Sequence, residues 1–248
     1  MLTAYITQTQ RLLQNPGAPT SLYSTADITD YVNYARRQLA GEAECCHFNG
    51  TVSTVVGQNA YPFSSINLGT PSVTGVEGTF NIQTIQYVVA SGQCWINPRP
   101  WPWFQLYVLN NPVPQSGPPT IWSRFGQGAS QGDSGTNQGG TFYINTPDSV
   151  YTLNCDCICY PIILADDTTP EAIPFPWTDC VPFFAAYWAY LSSQTGARQA
   201  DAERMYNHYE TFLKRAREQT NSSINRWQQS QAEDPAQAAK FGLGKAGG

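Results

Sequence analysis

The chain has 248 residues, of which 41% are hydrophobic and only 12% charged, about half the charged share of an average globular protein; it is long enough to bury a substantial core in one domain or two. A formal net charge of −5 argues against a DNA reader, whose footprint is a basic stripe. No apolar run approaches the roughly 20 residues of a membrane span, and the start MLTAYITQTQRLL lacks the basic region and long apolar core of a signal peptide, so synthesis and folding in the cytoplasm are expected.

The first element is a short amphipathic helix from Leu2 to Leu13, with Tyr5, Ile6, Thr9, Leu12 and Leu13 on one side. Asn15-Pro16-Gly17 cannot continue it. Ser24 and Asp27 have capping-box spacing and open a stronger helix, DITDYVNYARRQLAG. Ile28, Tyr31, Val32, Ala35 and Leu39 recur on its apolar stripe, Asp30, Asn33, Arg36 and Arg37 lie mostly off it, and Gly41 reads as its stop. The pattern then changes. TVSTVVGQNAYPF, FNIQTIQYVVA, FQLYVLNN, GTFYINT and VYTLNCDCICYPIIL are rich in β-branched and aromatic residues between Gly, Pro, Asn and Ser clusters, which predicts five to seven short antiparallel strands.

After the strands, Trp177-Thr178-Asp179 offers a helix cap and Pro182 falls in a first turn, where its missing N–H costs little. Residues 180–193 are apolar almost all round and predict the most buried helix. Beyond Gly196, Ala202, Met205, Tyr206, Tyr209, Phe212, Leu213 and Ala216 form the stripe of a second helix, so the pair reads as an antiparallel hairpin. From Asn221 onward no sustained apolar stripe remains, and Trp227, Phe241 and Leu243 are read as its large apolar anchors. The predicted class is therefore α+β. Residues 1–50 and 166–220 supply a helical body, residues 51–165 an inserted antiparallel β domain, and residues 221–248 an extended C-terminal arm.

Chemical constellations are sparse. Seven Cys is an odd count, and in a cytoplasmic setting they read as reduced thiols. Cys155, Cys157 and Cys159 suggest a soft-metal site, yet a strand spaces alternate residues by roughly 7 Å, too far for one tetrahedral zinc. Packing into a core is the better reading, as it is for Cys45-Cys46-His47, which has no second ligand pair. His208 stands among Tyr residues as a surface or interface group. Gly132-Asp133-Ser134-Gly135 echoes the serine neighbourhood of trypsin-like proteases, but the surroundings of His47 do not match that family's histidine motif. GQGASQGDSGTNQGG, residues 126–140, lacks the Lys-Ser or Lys-Thr of a phosphate-binding loop and reads as a long excursion between strands. Asp166-Asp167 points to a turn before Pro170 rather than to an acid–base pair. Trp95, Trp101, Trp103 and Trp122 could stack on sugars, although core or interface packing uses the same residues. No catalytic, cofactor or metal residues emerge.

The succession of DITDYVNYARRQLAG, the GQNAYPF strand, PPTIWSRFGQG, and PDSVYTLNCDCICYPIILADDTTPEAIPFPWTDCVPFFAAYWAYLSSQ with its Tyr-rich closing helix resembles the head-to-tail adaptor proteins of tailed bacteriophages, particularly of short-tailed phages. The resemblance covers nearly the whole chain and is most specific over residues 147–220. It implies a structural virion protein, assembled in the host cytoplasm and built into the head–tail interface as a ring, commonly dodecameric, below the portal. Its partners would be the portal protein, neighbouring copies of itself, and tail nozzle, hub or fibre proteins, with only passive contact with DNA and no membrane. Helices would form the ring body, and the arm would run along portal or neighbouring subunits with Trp227, Phe241 and Leu243 in their pockets. An acidic or neutral wall would let duplex DNA slide through the ring. The competing readings are a tail-associated glycan-binding or glycan-cleaving module, with the Trp cluster as its stacking surface and two carboxylates as acid and base, and a tail-tube or nozzle protein.

Overall fold

Ser24 opens the long N-terminal helix as its spacing predicts. Its hydroxyl accepts from the Asp27 N–H at 3.1 Å, and the Asp27 carboxylate accepts from the Ser24 N–H at 3.0 Å, which satisfies both donors left free at a helix start. The computed structural model describes residues 1–14, 22–89, 92–111, 116–126, 140–193 and 198–233. Its elements in chain order are α1 (Leu2–Leu12), α2 (Thr25–Ala43), β1 (His47–Ser53), β2 (Ala60–Pro62), α3 (Pro71–Thr74), β3 (Val76–Val89), β4 (Gly92–Pro98), α4 (Trp101–Phe104), β5 (Ile121–Phe125), β6 (Thr141–Ile144), β7 (Thr152–Pro161), α5 (Val181–Ser192) and α6 (Gln199–Glu233). Helices at both ends enclose a β-rich middle, an α+β arrangement.

Two helix ends differ from expectation. Gly41 lies inside α2, where an added Cβ would stand 3.6 Å from the Tyr160 ring, and the left-handed cap is Glu44 at φ 50°. One glycine costs a helix about 1 kcal/mol, and the burial of Ala40 and Ala43 around it carries the helix through. Nor do Trp177-Thr178-Asp179 cap α5. Residues Trp177–Cys180 form a short 3-10 helix, and Cys180 holds the cap position without a side-chain capping bond, its thiol donating instead to the Trp177 carbonyl at 2.9 Å, with Pro182 in the first turn as expected. Helix α5 buries Val181, Pro182, Phe184, Ala185, Ala186, Ala189 and Tyr190. Helix α6 packs on it through Ala202, Tyr209, Leu213 and Ala216, while Gly196 lies outside the described residues.

Helix α6 also runs past Thr220 to Glu233, so residues 221–233, expected as extended arm, have helical backbone. Once nucleated, a helix gains a hydrogen bond for each residue added, and neither Gly nor Pro interrupts the run until Pro235.

The strands form one seven-stranded sheet in the order β1-β7-β3-β4-β5-β6-β2. Every pair is antiparallel except β4 with β5, joined in parallel at Asn97/Ile121 and Pro98/Trp122. This corrects the expectation of a wholly antiparallel domain. Parallel neighbours require a long crossover, and here it contains FQLYVLNN. That segment is not a strand: Trp101–Phe104 is helical with Pro102 in its first turn, and Gln105–Leu109 continues as a π-helical turn. A short apolar run does not reveal its period, and Trp101 packs its ring, tilted, against Phe125 and Tyr143 at 4.8 and 4.6 Å only when the segment coils back over β5 and β6. TVSTVVGQNAYPF likewise divides into β1 and β2 with a turn between.

Two cores result. One joins α1, α2, α5 and α6 with Leu164 and Ile173. The other lies against the sheet and contains Val52, Ile82, Ile85, Trp122, Phe142, Leu153 and Cys155, Cys157 and Cys159.

Candidate interaction surfaces

The helical body and the sheet are tied by the chain that leaves β7, and one buried cation organises it. Arg36 is 1% exposed, although the helical period of α2 places it off the apolar stripe. Its guanidinium donates to the Glu171 carboxylate at 2.8 and 3.0 Å, to the Ile162 carbonyl at 2.6 Å and to Asn33 Oδ1 at 3.1 Å. The Asn33 side chain in turn brackets Leu164, accepting from its N–H at 2.8 Å and donating to its carbonyl at 3.2 Å. From α1 the Tyr5 hydroxyl donates to Glu171 at 2.9 Å, and burial first, then the Glu171 charge, pushes its ionisation well above the ordinary phenol range. The joint between β7 and α5, where the adaptor resemblance is most specific, is therefore held by a fully paired buried network.

The carboxylates and thiols noted in the sequence are structural. Asp166 accepts from the N–H and hydroxyl groups of Thr168 and Thr169, which hold its carboxyl below the usual range and fix the turn before Pro170. Asp167 accepts from the Thr3 N–H at 2.8 Å, tying the turn to α1. Cys155, Cys157 and Cys159 are wholly buried beside Ile82, Ile85 and Leu153. Burial pushes Cys157 up to about 11 and Cys159 to about 12, so they are thiols, not thiolates, near neutrality. Cys45 and Cys46 pack into the helical core. Among the described residues no three His, Cys, Asp or Glu side chains gather as a metal site requires. His47 Nδ1 lies 3.0 Å from Asp156, and that hydrogen bond, more than the opposing effect of burial, raises its basicity. His208 lies in a tilted ring contact with Phe183 at 5.3 Å.

The tryptophans do not form one stacking surface. Trp122 is buried in the sheet core, Trp101 covers Phe125 and Tyr143, and Trp103 faces outward beneath the Arg99 guanidinium, 5.1 Å from its ring. On the helical body, by contrast, aromatic side chains run across three helices: Tyr34 stacks on Trp188 at 4.9 Å, and Tyr187 meets Tyr206 at 5.0 Å. Tyr34, Trp188, Leu191 and Tyr206 are exposed, a composition enriched at the centres of protein interfaces. Trp227 lies on the distal part of α6, where side chains are not described, and Phe241, Leu243 and residues 127–139 of the Gly-rich stretch lie outside the described residues.

The sequence profile of the SU10 adaptor protein family matches residues 2–235. The chain belongs to the SU10 adaptor protein family. No curated protein matches it. The matched span takes in both helical ends, the whole sheet and the Arg36 joint, and the family is one of phage head-tail adaptors. This adaptor is thus a structural component of a phage virion, and none of its described helices is long and apolar enough to cross a membrane.

Sequence reasoning missed Arg36 and Asn33 as the residues that hold the joint. The available signal was weak: two polar residues one helical turn apart on α2, with Glu171 far away in sequence between Pro170 and Pro174. The exposed aromatic strip was legible only in part, because its residues come from three separate helices.

Proposed function

We propose that this adaptor forms a dodecameric ring beneath the portal, with the helical body as the ring wall and residues 221–248 reaching portal or neighbouring subunits. The observation that carries this reading is the length of α6. At 1.5 Å per residue its 35 residues span roughly 50 Å, whereas the 12 residues of α5, against which it packs, span about 18 Å. The last buried side chain described on it is Ala216, yet the helix continues to Glu233. By composition the stretch NSSINRWQQSQAE is mostly polar, and such a helical stretch is marginal in water by itself, which supports a partner outside the protomer for the distal part, with Trp227, Phe241 and Leu243 as its anchors. The aromatic strip across α2, α5 and α6 supports lateral contacts between copies. The low charge of the chain supports a wall along which DNA passes without being held, and duplex DNA is expected to bind the protein at about 10⁻⁴ M or more weakly at physiological salt.

The test is assembly with the portal. The full chain, mixed with portal rings and imaged by electron microscopy, should add a ring of density below the portal, and a chain ending at Thr220 should fold but fail to attach. Normal attachment by the shortened chain would overturn the assignment of the arm.

A further inference from the structure

The sheet has an outer face that its core does not use. On β7 the side chains of Leu153, Cys155 and Cys157 enter the core, so Asn154 and Asp156 point the other way. Register then fixes their neighbours. Asp156 pairs with Asn49 on β1 and Thr84 on β3, Asn154 pairs with Gln86, and Gln86 pairs with Trp95 on β4. Residues directly opposite on paired strands share a face, so these six side chains form two adjoining rows across four strands. Asn49, Thr84, Gln86, Asn154 and Asp156 line a recess of about 240 Å³.

The hydrogen bonds among the described residues use none of the side chains of Asn49, Thr84, Gln86 or Asn154, while Asp156 gives one oxygen to His47 at 3.0 Å. The recess therefore offers three amides, each both donor and acceptor, a hydroxyl and a carboxylate oxygen, mounted on a rigid sheet. No Lys or Arg lines it to neutralise a phosphate or sulfate, and no aliphatic side chain lines it to hold a lipid tail. Neighbouring hydroxyls that donate and accept, carried on a ring with an apolar C–H face, match this set: the amides and Asp156 take the hydroxyls, and the half-buried Trp95 at the end of the Gln86 row meets the C–H face. We propose that this face is a binding site for a neutral saccharide. The proposal is independent of the ring, since none of these residues lies on the helical body.

The test uses the full chain with maltotetraose, cellotetraose and chitotetraose as probes, followed by calorimetry and tryptophan fluorescence. At least one probe should bind saturably with Kd near 1 mM, the weak affinity expected of a shallow open site. Gln86→Ala and Asn154→Ala should each weaken that binding at least about ten-fold with an unchanged melting temperature, because neither side chain is buried, and Trp95→Ala should abolish the fluorescence change. No saturable signal from any of the three sugars at about 10 mM, wild-type affinity in the Gln86 and Asn154 variants, or binding of inorganic phosphate instead would overturn it.

Discussion

Replacing Arg36 by alanine removes the group on which the joint between β7 and α5 converges. The side chains of Arg36 and Glu171 are 1% and 11% exposed, so water cannot take over the lost contacts. The variant leaves Glu171 with the Tyr5 hydroxyl and the Ile173 N–H as remaining donors, and strips the Ile162 carbonyl of its 2.6 Å partner. Breaking a buried pair on one side typically costs about 3–5 kcal/mol, and for a chain of this size each kcal/mol moves Tm by about 2–4 °C, so Arg36→Ala should lower Tm by roughly 6–20 °C. The cost has two parts that a double-mutant cycle separates: lost pairing, and a stranded carboxylate. Arg36→Met with Glu171→Met removes both charges while filling similar volume, and should recover more than about half of the loss. Urea melts followed by circular dichroism on Arg36→Met, Glu171→Met and the double variant give the coupling energy. A loss below about 1 kcal/mol in Arg36→Ala, or a double variant no more stable than the worse single one, would refute the view that this charge pair holds the helical body to the sheet.

Three further perturbations test other parts of the structure. Gly50→Ala on β1 would place a methyl 2.3 Å from Ile66 Cγ2 and 3.1 Å from Leu68; it should cost about 1–3 kcal/mol by overpacking and speed amide exchange at Thr51 and Asn67, which bond each other across the sheet edge at 3.0 and 2.8 Å. His47 has its basicity raised by Asp156, so the stabilisation from its charged form is complete below the unfolded value near 6.5 and disappears as pH rises through the higher folded value; an NMR titration should show that raised midpoint, and Asp156→Asn should bring it down. The thiols of Cys155, Cys157 and Cys159 should resist alkylation at pH 8 in the native protein and react on unfolding, while Cys157→Ala should cost about 1–2 kcal/mol without loss of any bound metal; metal at near one atom per chain by mass spectrometry would contradict the packing assignment.

Short-range signals in the sequence were enough for the parts of this protein that short-range physics decides. The Ser24–Asp27 box lies within one turn and folds as its spacing dictates. The apolar run of α5 folds as a helix whose larger part is buried, with Trp188 and Leu191 left exposed, and alternation on β7 sends the three thiols to one side whatever the neighbouring strands are. The motifs that carried the adaptor resemblance were likewise local stretches read in chain order, and the family match spans them. What the chain settles only in three dimensions is pairing between distant segments. Arg36 is solvent-facing by helical period and wholly buried in fact, because Glu171 and Ile162 arrive against it from more than a hundred residues away. FQLYVLNN has strand composition but no strand partner, and it coils because its aromatic neighbours cover β5 and β6. The recess on the outer face exists because β1, β3 and β7 meet in a register that sets Asn49, Asn154 and Gln86 side by side. The free energy of such contacts depends on which groups meet after the loops close, and a local window of sequence does not contain that information.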